Sequence, residues 1–134
     1  MRVSVVPASE LTSDQLAAID ARVDAPEHVK DRGACLFWHR DAALPKLFVG
    51  VLSGSRRPIG IVHVDGPLNH AHPAWWVDSR FRGQGLGAEM IDALAAVLKG
   101  DGYSGIGRIA IDSSDGEYDA ASSSLVRRLQ AHFS

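Results

Sequence analysis

The chain has 134 residues, 46% hydrophobic and 22% charged, which predicts a single globular domain over 1–134 and excludes a two-domain enzyme. Lys and Arg number 14 against 16 Asp and Glu, eight acids in each half, so the net charge is −2 with no basic arm or acidic tail; no general attraction to nucleic acid or to a membrane surface is expected. The lone Cys35 closes no internal disulfide, residues 3–6 are too short an apolar stretch for a signal peptide, and nothing approaches the ~20 residues of a membrane span. A cytoplasmic protein is the expectation.

Val3, Val5 and Val6 predict a first strand. Thr12 or Ser13 then caps a helix whose Leu16, Ile19 and Val23 share one face by their three- and four-residue spacing. Pro26 closes it, and residues 27–39 form a second short helix. Residues 46–52 (KLFVGVL) and 59–64 (IGIVHV) are β-branched apolar runs joined through Gly54 and Pro58, which reads as a hairpin. The first run lacks alternation, as a strand buried on both faces does. Residues 74–77 (AWWV) predict a fourth strand, interrupted upstream by Pro73. Leu86, Met90, Ile91, Leu94, Val97 and Leu98 recur with helical period over 85–99, and Gly100 ends that helix. Residues 108–111 (RIAI) are a fifth strand, and a last helix runs over 119–130. The order β, α, α, β, β, β, α, β, α predicts an α/β fold with a mixed sheet.

One stretch carries specific chemistry: residues 77–88, V-D-S-R-F-R-G-Q-G-L-G-A, at a strand-to-helix junction. Gly83, Gly85 and Gly87 have no Cβ, so the backbone N–H groups that start the helix can approach an anion that side chains would block. Those groups lack intrahelical partners and carry the positive end of the helix dipole. A phosphate or pyrophosphate suits them, and Arg82, with Arg80 nearby, adds formal charge. The G-x-G-x-G spacing is not the dinucleotide fingerprint, and no Gly-Lys-Ser/Thr of a nucleotide P-loop follows.

The run Arg82-Gly83-Gln84-Gly85-Leu86-Gly87, with Phe81 before it, resembles the Q/R-x-x-G-x-G/A signature of the GNAT superfamily of acyl-CoA-dependent N-acetyltransferases, and the order of elements is similar over most of the chain. The resemblance implies a GNAT-like mixed sheet flanked by helices, with acetyl-CoA as cosubstrate. It also implies acyl transfer to a small-molecule or protein amine by direct attack. Arg82, Gly83, Gln84, Gly85, Leu86, Gly87 and Ala88 would hold the pyrophosphate; Trp76, Val77 and Asp78 would bind the pantetheine arm. The family's N-x-x-A-x-x-L-Y-x-x-x-G-F pattern overlays residues 119–131, where Val126 replaces the tyrosine that protonates the leaving thiolate. The usual C-terminal strand pair is expected to be lacking. A catalytically weak acyl-CoA-binding or protein-interaction module of the same fold is the alternative function.

A thiol of pKa about 8.5 leaves readily as thiolate, so losing that tyrosine is tolerable, with Tyr118 or His132 as substitute acids. The base candidates are His63 and Asp65 on one strand face and His72, with His70, ahead of the fourth strand. Each histidine alone also reads as an ordinary hydrogen-bonded surface group. His70 and His72 would share a strand face, but no acidic third ligand follows, and no metal is expected. Trp75 and Trp76 point to opposite faces, one into the core and one toward an acceptor pocket. A fifth strand left at an open edge predicts a homodimer; a monomer shielded by Asp112, Asp115, Glu117 and Asp119 is the other outcome.

Overall fold

The computed structural model describes residues 2–26, 47–107 and 120–134, and in the last helix side chains from residue 124 onward. Four strands, β1 (Val3–Pro7), β2 (Leu47–Leu52), β3 (Pro58–Asp65) and β4 (His72–Val77), form an antiparallel sheet in the order β1-β2-β3-β4. Beyond β4 a parallel pairing begins at the Ala71–Ile106 bridge. There the Ala71 N–H donates to the Gly105 carbonyl at 3.0 Å and the Gly107 N–H to the Ala71 carbonyl at 2.7 Å. Among the described residues this bridge is the one parallel contact, and the four strands themselves pair antiparallel. The expected second helix at 27–39 and fifth strand at 108–111 lie outside the described residues.

Helix α1 (Ser13–Val23) covers one face, with Ile19 and Val23 against Val49, Ile61 and Trp76. Helices α2 (Leu86–Gly100) and α3 (Ala120–His132) cover the other, with Met90, Leu94, Leu98 and Leu129 in one cluster with Val3, Val62, Trp75 and Val77. Strand β2 lies between helical layers, so residues on both of its faces are buried, and its sequence shows no alternation. Gly50 pairs with Gly60 beneath α2. A Cβ on Gly50 would stand 2.7 Å from the Met90 sulfur, and one on Gly60 2.4 Å from the Trp76 carbonyl oxygen. These glycines let Met90 sit directly on the sheet.

Of the two candidate caps for α1, Thr12 is the one used. Its Oγ1 accepts from the Gln15 N–H at 3.2 Å, and Gln15 Oε1 accepts from the Thr12 N–H at 2.9 Å, a reciprocal capping box. Pro73 lies inside β4 rather than interrupting it. The Asp78 N–H donates to the Ile59 carbonyl at 2.8 Å, so with the observed register the bonded pairs with β3 are Ile61–Trp76, His63–Ala74 and Asp65–His72. Pro73, opposite Val64, falls between them, where β3 asks for no N–H. Gly100 is the last helical residue of α2, and the left-handed position falls at Gly102 (φ +93°).

Candidate functional site

The same alternation decides which backbone groups at the end of β4 face outward. Trp76 and Asp78 turn their N–H and C=O toward β3, while Trp75 and Val77 turn theirs to the opposite edge, where the parallel pairing starts. Arg82 Nε donates to the Val77 carbonyl at 2.8 Å on that outer edge. Of the three residues 76–78, two spend their backbone groups within the sheet and Val77 faces outward.

Asp78 is buried, 2% exposed, and its carboxylate is used structurally. Arg22 of α1 donates to it twice, at 2.8 and 3.0 Å, and the Arg80 backbone N–H once, at 3.0 Å. The Arg80 guanidinium adds bonds at 3.2 and 3.0 Å. Burial alone pushes the carboxyl pKa upward, but the hydrogen bonds from Arg22 and Arg80 more than reverse this and hold it far below the usual carboxylate range. Asp78 also caps the short 3-10 helix Ser79–Phe81. Its role is to tie α1 to the strand-to-helix loop, a contact across 56 residues of sequence.

The loop differs from that closed arrangement. Gly83 and Gly85 adopt left-handed backbone, φ +76° and +77°, and Gly85 caps α2 with no side-chain hydrogen bond. Such angles strain any residue with a Cβ. The first α2 amide to return to the chain is that of Glu89, which donates to the Gly85 carbonyl at 3.3 Å. Among the described residues, no well-aligned acceptor meets the N–H groups of residues 83–88. A Cβ built on Gly83 would meet nothing within 4 Å, so the space beside this backbone is open. Unpaired amides, the positive end of the α2 dipole and open space fit a pyrophosphate. Gly87 serves another purpose: a Cβ there would lie 3.5 Å from Leu125 and 3.9 Å from Val77, so it packs α2 against α3 and β4. Leu86 is buried in the core, and Ala88 follows in the first turn. The Gln84 side chain donates to the Arg80 carbonyl at 2.9 Å.

Arg2 also stands beside this loop, and no sequence motif marked it. Its Nη2 donates to the Gln84 carbonyl at 3.3 Å, its backbone N–H and Nε donate to Glu89 at 3.0 and 2.6 Å, and the two side chains form an ion pair. The hydrogen bonds from Arg2 lower the Glu89 pKa. An acid in the first turns of α2 is thereby neutralised next to the open amides.

Three of the four catalytic candidates come together. Asp65 and His72 are cross-strand partners, and His63, two residues along β3, shares their face. That is the face covered by α1. Asp65 Oδ1 accepts from the Gly66 N–H at 2.8 Å, and the His72 ring meets the His70 ring edge-on at 5.0 Å. Among the described residues, no three His, Cys, Asp or Glu side chains are grouped to hold a metal. Tyr118 lies outside the described residues. His132 Nε2 lies 2.8 Å from Asp92 of α2, which also accepts a fork from Arg128 at 2.8 and 2.7 Å. The Arg128 hydrogen bond is the main reason the Asp92 pKa falls from its ordinary 3.8 to about 2.

The sequence pattern of the acetyltransferase (GNAT) family matches residues 9–118. The chain belongs to the GNAT acetyltransferase family. Membership supports acyl transfer as the reaction class. The fold is similar to that of a GNAT-family acetyltransferase from Xanthomonas campestris pv. campestris, at 19% identity over 95% of this chain and 82% of that one, TM-score 0.57. It is also similar to the Salmonella typhimurium acetyltransferase that modifies the N-terminal serine of 50S ribosomal protein L7/L12, at 18% identity over 96% and 80%, TM-score 0.54. A third similar structure is the GNAT N-acetyltransferase YhbS of Escherichia coli in complex with CoA, at 20% identity over 79% and 61%, TM-score 0.52. At these identities the likeness is one of fold. The GNAT chain described here spans 61% of YhbS and 61% of a Bacillus anthracis acetyltransferase. No curated protein matches the sequence. No helix among the described residues is long and apolar enough to cross a membrane.

Proposed function

We propose that this GNAT chain transfers an acetyl or other short acyl group from acetyl-CoA to an amine by direct attack. The observation that carries the reading is the row of unpartnered amides at residues 83–88, opened by two left-handed glycines at the start of α2. These amides would hold the pyrophosphate, with Arg82 supplying charge at the same end of the helix and Arg2 offsetting Glu89. The outward backbone edge of Trp75 and Val77 would take the pantetheine arm as an added strand. This replaces Trp76 and Asp78 in that role.

Acetyl-CoA, when bound, supplies a thioester carbonyl open to attack. His63, Asp65 and His72 are the groups on the α1 face of β3 and β4 able to take the ammonium proton of the acceptor, directly or through water. Of the two outward N–H groups, one would bond the pantetheine arm and the other would be the donor for negative charge developing beside that edge. Alignment of the two reactants, worth ~7 kcal/mol or more, supplies much of the acceleration.

The test is thiol release from acetyl-CoA with a panel of amines. The expected result is release above the protein-free background, with kcat reduced roughly 10²-fold in His72→Ala or Asp65→Asn and CoA affinity nearly unchanged. CoA binding without turnover on any amine would favour the catalytically weak binding module instead.

A further inference from the structure

A small open cleft lies on the α1 side of the sheet, beyond the histidines, where α1 meets the start of β3 and the end of β4. Ile19 and Trp76 wall it, and three guanidiniums line it, those of Arg22, Arg57 and Arg80, against a single carboxylate, Asp78. Asp78 is saturated by Arg22 and Arg80. The Arg57 and Arg80 guanidiniums lie 5.2 and 5.6 Å from the centroid of the same Phe81 ring, which holds both side chains beside the cleft. Among the described residues Arg57 has no ion pair. A carboxylate or phosphate entering the cleft would give Arg57 the counter-charge it lacks and add a hydrogen-bond acceptor for a fork donor.

We propose that this cleft is an oxyanion subsite that takes a carboxylate or phosphate carried by the acyl acceptor. The acceptor role rests on the acyl-transfer reading above; anion binding does not. Ala74, opposite His63, is four residues along β4 from Asp78, about 13 Å at the rise of a strand. The acceptor is then an amine whose anionic group lies roughly that far from its nitrogen, the reach of an extended peptide carrying an acidic side chain three or four residues from its amino end.

The probes are succinate for the cleft and a matched pair of tetrapeptide amides, ending in Glu or in Gln, for the acceptor. Calorimetry should show succinate binding that weakens about 10-fold in Arg57→Ala and persists in Gly85→Val, whose glycine loop is blocked. Loss in Gly85→Val with no change in Arg57→Ala would put the anion on the loop and overturn the cleft, as would no succinate binding to the unaltered protein. In the thiol-release assay the Glu peptide should have the lower KM, and Arg57→Ala should collapse the KM ratio of the two peptides toward one. Equal KM values for the two peptides in the unaltered protein would overturn the acceptor role. If neither peptide turns over while other amines of the panel do, the acceptor role is overturned; if no amine turns over while succinate binds as expected, the transfer reading fails and only an anion-binding cleft remains.

Discussion

The helix that begins after Thr12 and the helix that begins after Gly85 start in opposite ways. At Thr12 the sequence supplies its own partners, with hydroxyl and amide side chains exchanging hydrogen bonds with the first turn. Asp78 does the same for the short helix it precedes, accepting from the Arg80 N–H. Seven residues later Gly85 offers no side chain at all, and a left-handed backbone leaves the amides of residues 83–88 without acceptors. An ordinary helix start satisfies its donors from within the fold; one that is left open beside vacant space is a place for something from outside. The contrast lies in the residue types at three caps, so it can be broken at each.

The largest effect is expected at Asp78. Asp78→Ala would leave Arg22, itself half-buried, without its carboxylate, and stability should fall by about 3–5 kcal/mol. Urea unfolding checks this, and a loss under about 1 kcal/mol would show that the bracket does not join α1 to the loop. Gly85→Val comes next. It forces a β-branched residue to φ +77° and places Cβ 3.4 Å from Arg2 Nη2. CoA affinity should drop at least 10²-fold, roughly 2.7 kcal/mol, in calorimetry on a protein whose circular dichroism is unchanged. Thr12→Ala should reduce stability by about 1 kcal/mol and leave CoA affinity alone, because that sealed start faces no ligand; an equal loss of CoA binding would erase the contrast.

The smallest effect is in the acid limb. The Asp92 pKa is depressed from 3.8 to about 2, chiefly by the Arg128 hydrogen bond. The stability this carboxylate contributes is therefore complete above about pH 4 and is lost as pH falls toward 2. Asp92→Asn should flatten that part of the stability profile, and an unchanged slope between pH 4 and 2 would remove Asp92 from the account.

The sheet was legible because its signals are local. The unalternating β2 run, the turn residues between β2 and β3, and the α2 periodicity each report burial of their own segment. The glycine loop was legible for the same reason, since left-handed backbone and a missing Cβ are properties of single residues. What the sequence hid depends on pairs far apart. Arg22 meets Asp78 across 56 residues and Arg2 meets Glu89 across 87, and no spacing rule links either pair. Pro73 read as an interruption because its tolerance follows from the β3 register. Gly87 read as part of the cradle, and its closeness to the α3 residue Leu125, a second reason for lacking a Cβ, was not legible. Sequence gives the alternation along residues 75–78 but not which alternate set faces the neighbouring strand, which the β3 register decides.

The central claim is that the amides of residues 83–88 receive the anionic part of CoA, and amide NMR during a CoA titration tests it most directly. The backbone N–H resonances of Gly83, Gly85 and Gly87 should shift most, with saturable and salt-weakened behaviour, while those of residues 12–15 at the sealed α1 start stay still. Shifts that leave the loop amides unmoved and appear elsewhere would contradict the claim.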